Sequence, residues 1–391
     1  LKVSAGTLTV CVGTIVGGTN AVDITGGTLL ANGSLNANTV VASPGTLGGT
    51  GFIAGNVSGT GTVAPGIAGP GILTINGNFT PSGIVALDVN APYAPANTDK
   101  LIVSGTVNLA AATLNITGGI TAATPQQFVT LIDKSSAGAT TASPSPADGS
   151  LVTLGAATFK IYYNGGDGND VVLVDIQTPT VVYVDDSFTP NPGQFFADAD
   201  LGTTGNQPAI YGLNAFTTIA AAFAAGPTSG VVIVNGGTYS ETISLTAPNT
   251  LRITGPDSAQ SVIISAVEST IGSTLEIQGT SSLTIGDSTN RTLAGAVTGA
   301  TGTLTKNGSG TLTLLASNSY GDTIISTGVL QVGNGGATGS LGSGTVTNNA
   351  SLVFNRNDAF TVGNAISGSG SVDASGTGIL TLTAASTYGG D

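Results

Sequence analysis

Residues 302–322 recur without a gap at 370–390. The first copy reads GTLTKNGSGTLTLLASNSYGD and the second GSVDASGTGILTLTAASTYGG. Gly302 matches Gly370, Gly308 matches Gly376, and Gly310 matches Gly378. Leu312, Leu314 and Tyr320 match Leu380, Leu382 and Tyr388, every pair 68 residues apart. A fixed period marks one structural unit stacked on itself, and it constrains the fold more than any local motif. The unit consists of Gly-punctuated runs of alternating Thr, Leu and Val, so the stacked element is a β-coil.

Composition narrows the function. Charged residues make up 7% of the 391, against roughly 25% in an average soluble protein. A hydrophobic content of 40% supplies too much apolar surface for a disordered chain. Sixty glycines among many Thr, Ser and Asn fit short strands joined by tight turns. The net charge is -13 and no basic cluster occurs, which argues against nucleic acid or an anionic membrane as partner. No apolar run is long enough to cross a membrane as a helix. Cys11 cannot form an internal disulfide and reads as a small buried hydrophobe. The chain begins at Leu1 and contains no Met, so it reads as a processed product or a window of a larger protein.

Three segments are expected. Residues 1–175 are Gly-broken strands such as AGTLTV, GTVNLAAATLNIT and DVVLVD, with proline-bearing stretches at 91–99 and 143–149 read as loops leaving the stack. Residues 176–267 hold most of the mid-chain aromatics and one helix, 215–225, capped by Asn214 with Phe216, Ile219, Ala220 and Phe223 on one stripe. Residues 268–391 return to the Gly/Thr/Leu style. If a coil takes roughly 20–25 residues, one 68-residue period covers about three coils. At roughly 4.8 Å per coil the chain would form a rod on the order of 80 Å long.

GSGTLTLLASNSYGDTIISTGVLQVGNGG (308–336) resembles the autotransporter-associated β-strand repeat of bacterial passenger domains and secreted surface proteins. DKLIVSGTVNLAAATLNIT (99–117), FVTLID and ATFKIYYNGGDGNDVVLV resemble the closing portion of such arrays. The middle segment, with VVYVDDSF, DADLGTTGNQPAIYGLNAFTTIAAAFAA and VVIVNGGTYSETI in order, is similar to the start of a pectate-lyase-like β-helix. The resemblance implies an all-β, right-handed parallel β-helix (a β-solenoid) exported from a bacterium, with a structural or adhesive role at the cell surface. It supplies no activity, and no β-barrel translocator lies in these residues.

Candidate chemistry is sparse. Asp185, Asp186, Asp198 and Asp200 form the one acidic cluster, suited to calcium if a loop brings their oxygens together, and otherwise a solvated loop ahead of the helix. Calcium is the sole cofactor this leaves open. GGDGNDVV (165–172) fits a single calcium nonapeptide but lacks a stacked second copy, so a tight turn accounts for it better. A lyase-like site would need clustered carboxylates around Arg252, and only Asp257 is near in sequence. The absence of His removes the usual general base. Seven N-x-S/T sequons, from Asn32 to Asn349, are about what chance gives in so Asn- and Thr-rich a chain. The Thr-x-Thr pairs read as outward β-formers rather than an ice-binding ladder.

The expectation is a non-enzymatic β-solenoid acting as stalk, fibre or adhesive layer. The alternative is a polysaccharide-binding or polysaccharide-cleaving module with Phe188, Phe195, Phe196 and Tyr211 lining a groove. The C-terminal Tyr388 motif reads into LKVSAGTLTV at the N-terminus as if one repeat continued, which suggests end-to-end self-association or further repeats of the same chain.

Overall fold

In the computed structural model, described for residues 1–389 apart from 19, 68, 91–96, 121–127 and 256, the chain is all-β and coils as a parallel β-solenoid. It divides into two compact units. The first comprises Leu1–Gln177, Asn191–Phe195 and Ile210–Gly212; the second comprises Thr178–Pro190, Phe196–Ala209 and Leu213–Asp391.

In the first unit, alternation decides which side chains enter the core. Strands Thr7–Val10, Thr28–Ala31, Thr46–Gly49, Thr62–Pro65, Ile84–Asp88 and Thr113–Thr117 stack in parallel. Leu29, Leu47, Val63, Val85 and Leu114 fall in one inward column, with Leu8 in register at its exposed end, while Thr7, Thr28, Thr46 and Thr62 line the outer face. With a side-chain period of two, Thr-Leu-Thr-Val needs no other instruction. A second column runs Val16, Leu35, Ile53, Ile75, Val103 and ends on Lys134.

There the parallel stack is closed by antiparallel strands. Phe128–Lys134 pairs with Asp170–Asp175, which pairs with Ala157–Gly165, which pairs with Leu151–Leu154. This change of direction covers a hydrogen-bonding edge that would otherwise stay open. The proline-bearing stretch 143–149, expected to leave the stack, instead lies along it. Thr113 bridges to Ser145, and the buried Ser143 donates its hydroxyl to Ala112 O at 2.7 Å. The backbone of Ala112 and Leu114 needs those partners, and a short polar segment meets the need better than an excursion would. Of the 91–99 stretch, 91–96 lies outside the described residues, and Val89 bridges to Thr98 across its base. Cys11 is exposed, not buried. It follows Val10, the last inward residue of its strand, and so lies on the turn.

In the second unit, Val181–Val184, Val231–Val234, Thr250–Ile253, Thr274–Ile277 and Ala296–Thr298 form one parallel stack. The long strands Gly237–Leu245 and Ser261–Ser269 pair and then branch into two further stacks. One passes through Leu283, Leu304, Thr323, Val346 and Ile366. The other passes through Arg291, Leu312, Leu330, Leu352 and Val372.

These registers correct a simple reading of the 68-residue repeat. Three coils carry the chain from Leu304 to Ile366, whereas the sequence repeat carries Leu304 to Val372, across the turn and onto the neighbouring face. Likewise Leu312 and its match Leu380 lie in different stacks, the latter pairing with Phe360. The sequence unit therefore advances by one face per copy instead of stacking on itself.

The helix is shorter than expected, Ile219–Ala224, and its cap is Thr218 rather than Asn214. Ala215–Phe216 is drawn into a strand beside Tyr183 and Val184. Ile219 and Ala222 are the buried helix residues, and Ala220 is exposed. Glu241, on the following coil, accepts from the N–H groups of Ile219 and Ala220 at 2.9 Å each, which satisfies two of the free donors of the first turn.

Candidate functional site

The four aspartates of the acidic cluster, Asp185, Asp186, Asp198 and Asp200, each accept hydrogen bonds from the protein. Among the described residues no group of three or more acidic, His or Cys side chains is placed to hold a metal ion. Each carboxylate is engaged locally. Asp185 is buried and accepts from Ser187 N at 2.8 Å and from Asn235 Nδ2 at 3.1 Å. Asp200, also buried, accepts from Gly202 N and from the hydroxyls of Thr203 and Thr254. Asp186 takes Thr238 N, and Asp198 takes Asp200 N. Asp185, Asn235 and Thr254 each follow a registered strand (Val184, Val234, Ile253), so the cluster is a polar corner running up the coils. Asn235 ties it to the loop by donating to Ala199 O and accepting from Leu201 N. A buried polar network of this kind is stable because its members are partnered.

The aromatics settle into separate packing. Phe188 and Phe196 stack on each other at 4.3 Å between centroids, against Ala199, Ala209 and Ala215. Phe195 packs on Phe128 at 5.6 Å. Arg252 is taken by its registered neighbour Glu276 at 2.7 Å, and Asp257 by Thr204 N. In the turn at 165–170, Asp170 accepts from Lys134 N at 2.8 Å and joins the sheet closure.

The motif glycines have a steric cause. Gly308 takes φ +83°, and a Cβ there would collide with Asp287 O; one on Gly310 would collide with Thr289 O. Gly376 and Gly378 meet Arg356 and Asp358 in the same way. Under each Gly-x-Gly turn lies an ion pair of the previous coil, Arg291 with Asp287 at 3.1 Å and Arg356 with Asp358 at 2.7 Å. Tyr320 is fully buried, and burial pushes its phenol up to about 12, while Tyr388 is half-buried.

Two features escaped the sequence. Asparagines form ladders: Asn38 Oδ1 accepts from Asn56 N, Asn56 Oδ1 from Asn78 N, and Asn78 Oδ1 from Thr106 N, all within 2.9 Å. Asn32, Asn90 and Asn290 do the same for Thr50, Gly119 and Thr311. The Asn side-chain carbonyl continues the coil-to-coil ladder through turns where strands end, which accounts for the Asn-rich composition. Two lysines also point inward. Lys134 gives its ammonium to Ser136 O, Ala137 O and Gly138 O, and Lys306 to Asn307 O, Gly308 O and Thr327 O. Three carbonyls match the three donors of an ammonium, so each cation is satisfied without a carboxylate.

A recess of about 310 Å³ opens on the outer face of the first unit, with Thr28, Thr46, Ala64, Ala86, Asp88 and Asp99 among its lining residues. Asp99 is 3% exposed and accepts from Gly71 N at 2.7 Å and Asp88 N at 2.9 Å. Desolvation pushes its carboxyl up to about 6, against the lowering effect of those two N–H groups. Ile67 stands over Gly48 at the same recess, with φ 68°, a conformation β-branched residues rarely adopt.

Coils held by aliphatic columns, Asn ladders and Gly-x-Gly turns define a repetitive β-solenoid whose outer surface is polar and nearly uncharged. Residues 304–332 and 373–391 match the family described as Passenger-associated-transport-repeat, so the chain carries the autotransporter passenger-associated repeat. A curated relative, the adhesin BmaC autotransporter of Brucella suis biovar 1 (strain 1330), is 47% identical over 58 residues. That stretch is 15% of this chain and 2% of the relative, so the shared region is a small piece of that protein. No solved structure matches. No helix among the described residues is long and apolar enough to cross a membrane.

Proposed function

We propose that the chain is a non-enzymatic, extracellular structural β-solenoid, a length of stalk, fibre or adhesive surface layer on a bacterial surface protein. The observation that carries this is the unbroken registration of inward aliphatics, coil upon coil, in columns such as Leu29–Leu47–Val63–Val85 and Leu312–Leu330–Leu352. Such a column resists bending and local unfolding because each coil buries its apolar face only against its neighbours. The passenger repeat and the adhesin relative support placement at the cell surface. Length is added by further coils, either of the same polypeptide or of another copy joined edge to edge.

Electron microscopy of the purified chain tests the structural reading. Narrow, unbranched particles that persist after protease treatment are expected, and rounded particles digested to small peptides would refute it. Sedimentation across a range of concentrations tests the edge-to-edge step separately, with growth of the sedimenting species expected.

A further inference from the structure

The recess on the outer face of the first unit is more elaborate than a stalk requires. Its floor is the outward side of a parallel stack, where Ala64 and Ala86 present small side chains from strands Thr62–Pro65 and Ile84–Asp88. Small side chains leave room there that the Leu and Val of the inward columns would fill. Ile67 rises beside it as an aliphatic wall, 43% exposed. Its amide donates to Pro65 O at 2.9 Å, closing a tight turn, and its own backbone is left-handed, a state uncommon in a non-glycine residue. The polar contribution comes from the exposed Asp88, the buried Asp99 and the hydroxyls of Thr28 and Thr46. Among the described residues no Lys or Arg lines it.

These groups select a ligand by chemistry. Without a cation, the recess disfavours anions. Carboxylate oxygens are acceptors only, and threonine hydroxyls both donate and accept, so the matching ligand carries several hydroxyl donors. Asp99 already receives two backbone N–H groups, so part of its charge is compensated within the protein. The aliphatic floor and wall ask for a C–H face on the same molecule. At about 310 Å³ the space is at the small end for ligand pockets and suits one ring-sized molecule. A neutral pyranose has this combination, hydroxyls around its edge and C–H bonds on its face.

We propose that the recess bounded by Ile67, Ala64, Ala86, Asp88 and Asp99 binds a single neutral pyranose unit, either free or at the end of a glycan. This goes beyond the stalk reading and does not depend on it, since particle shape and sugar binding are measured separately.

Saturation-transfer NMR on the full chain near pH 7.5 tests it, with glucose, galactose, mannose and N-acetylglucosamine as probes and an oligosaccharide carrying the responding sugar at its end as a second arm. Transfer to at least one of these is expected. Ala86→Phe, which fills the recess from an outward position, should weaken it at least about tenfold; so should Asp88→Asn if the lost contact is a charge-assisted hydrogen bond. An unchanged circular dichroism melt separates loss of binding from loss of fold. Titration below pH 6 should also weaken binding as Asp99 takes up a proton. The proposal is overturned if the native chain binds none of the four sugars, or if binding survives Ala86→Phe. A response to glucosamine without one to its N-acetyl form would overturn it too, by assigning the recess to an amine.

Discussion

Leu330→Ala tests the column architecture where it can be read most directly. Leu330 is fully buried and stands in register between Leu312 and Leu352, with Val372 beyond. Truncation removes the transfer free energy of its lost methyl and methylene groups and leaves a cavity bounded above and below by leucines. Those leucines are fixed by backbone pairing and cannot collapse far. A cost of about 3–5 kcal/mol follows, near the upper end for such changes. The solenoid transmits stability mainly between neighbouring coils, so the loss should be local. Hydrogen exchange is therefore the sharper assay, since a single melting temperature averages over coils that open separately. Amides of the strands around Leu312, Leu330 and Leu352 should exchange faster by about two to three and a half orders of magnitude, at one decade per roughly 1.4 kcal/mol, while the first unit is unaffected. Thr313→Ala, on the outer face of the next strand position, should change exchange by less than about 0.5 kcal/mol equivalent. Equal effects from the two substitutions would refute the inward-column assignment.

Gly310→Ala forces a Cβ against Thr289 O, so a loss above about 2 kcal/mol is expected by urea unfolding, and Gly6→Ala, with open space around it, should cost only the strain of φ 67°. Asn56→Ala removes the acceptor for Asn78 N and should cost about 1 kcal/mol, with faster exchange at Asn78. Burial raises Asp99 from 3.8 to about 6 in the folded chain. The folded state then binds this proton more tightly than the unfolded state, so the contribution is full below pH 3.8 and is lost as pH rises to about 6. Carboxyl NMR should give a midpoint near 6, and a midpoint near 4 would contradict the burial.

What the sequence disclosed and what it hid divide along a physical line. Alternating Thr-Leu-Thr-Leu fixes which side chains face inward, because a strand has only two faces, and so the solenoid and its aliphatic core were legible in the letters. Coil length was not, because it depends on how much chain each turn consumes. The passage from Leu304 to Thr323 is shorter than that from Thr323 to Val346, although both make one coil. Small differences of this kind leave the 68-residue period out of step with three coils, and the motif slides from one face to the next. Contacts between distant turns were equally hidden: Glu241 at the helix start, Asn235 on Asp185, and the Arg356–Asp358 pair beneath Gly376 and Gly378. The same slide has a consequence for function. A motif that stacked on itself would repeat one surface along one side of the solenoid, whereas a motif advancing a face per copy presents Thr-Leu-Thr strands successively around the axis. The conserved part of the unit is then the inward and turn chemistry that every face needs, Leu columns and Gly-x-Gly turns. Outward positions such as Gln331, Val353 and Asp373, registered with one another yet chemically different, are left free to vary. On such a scaffold, recognition is carried by local departures from the repeat. The recess beside Ile67 is one, where Ala64 and Ala86 replace bulk with space.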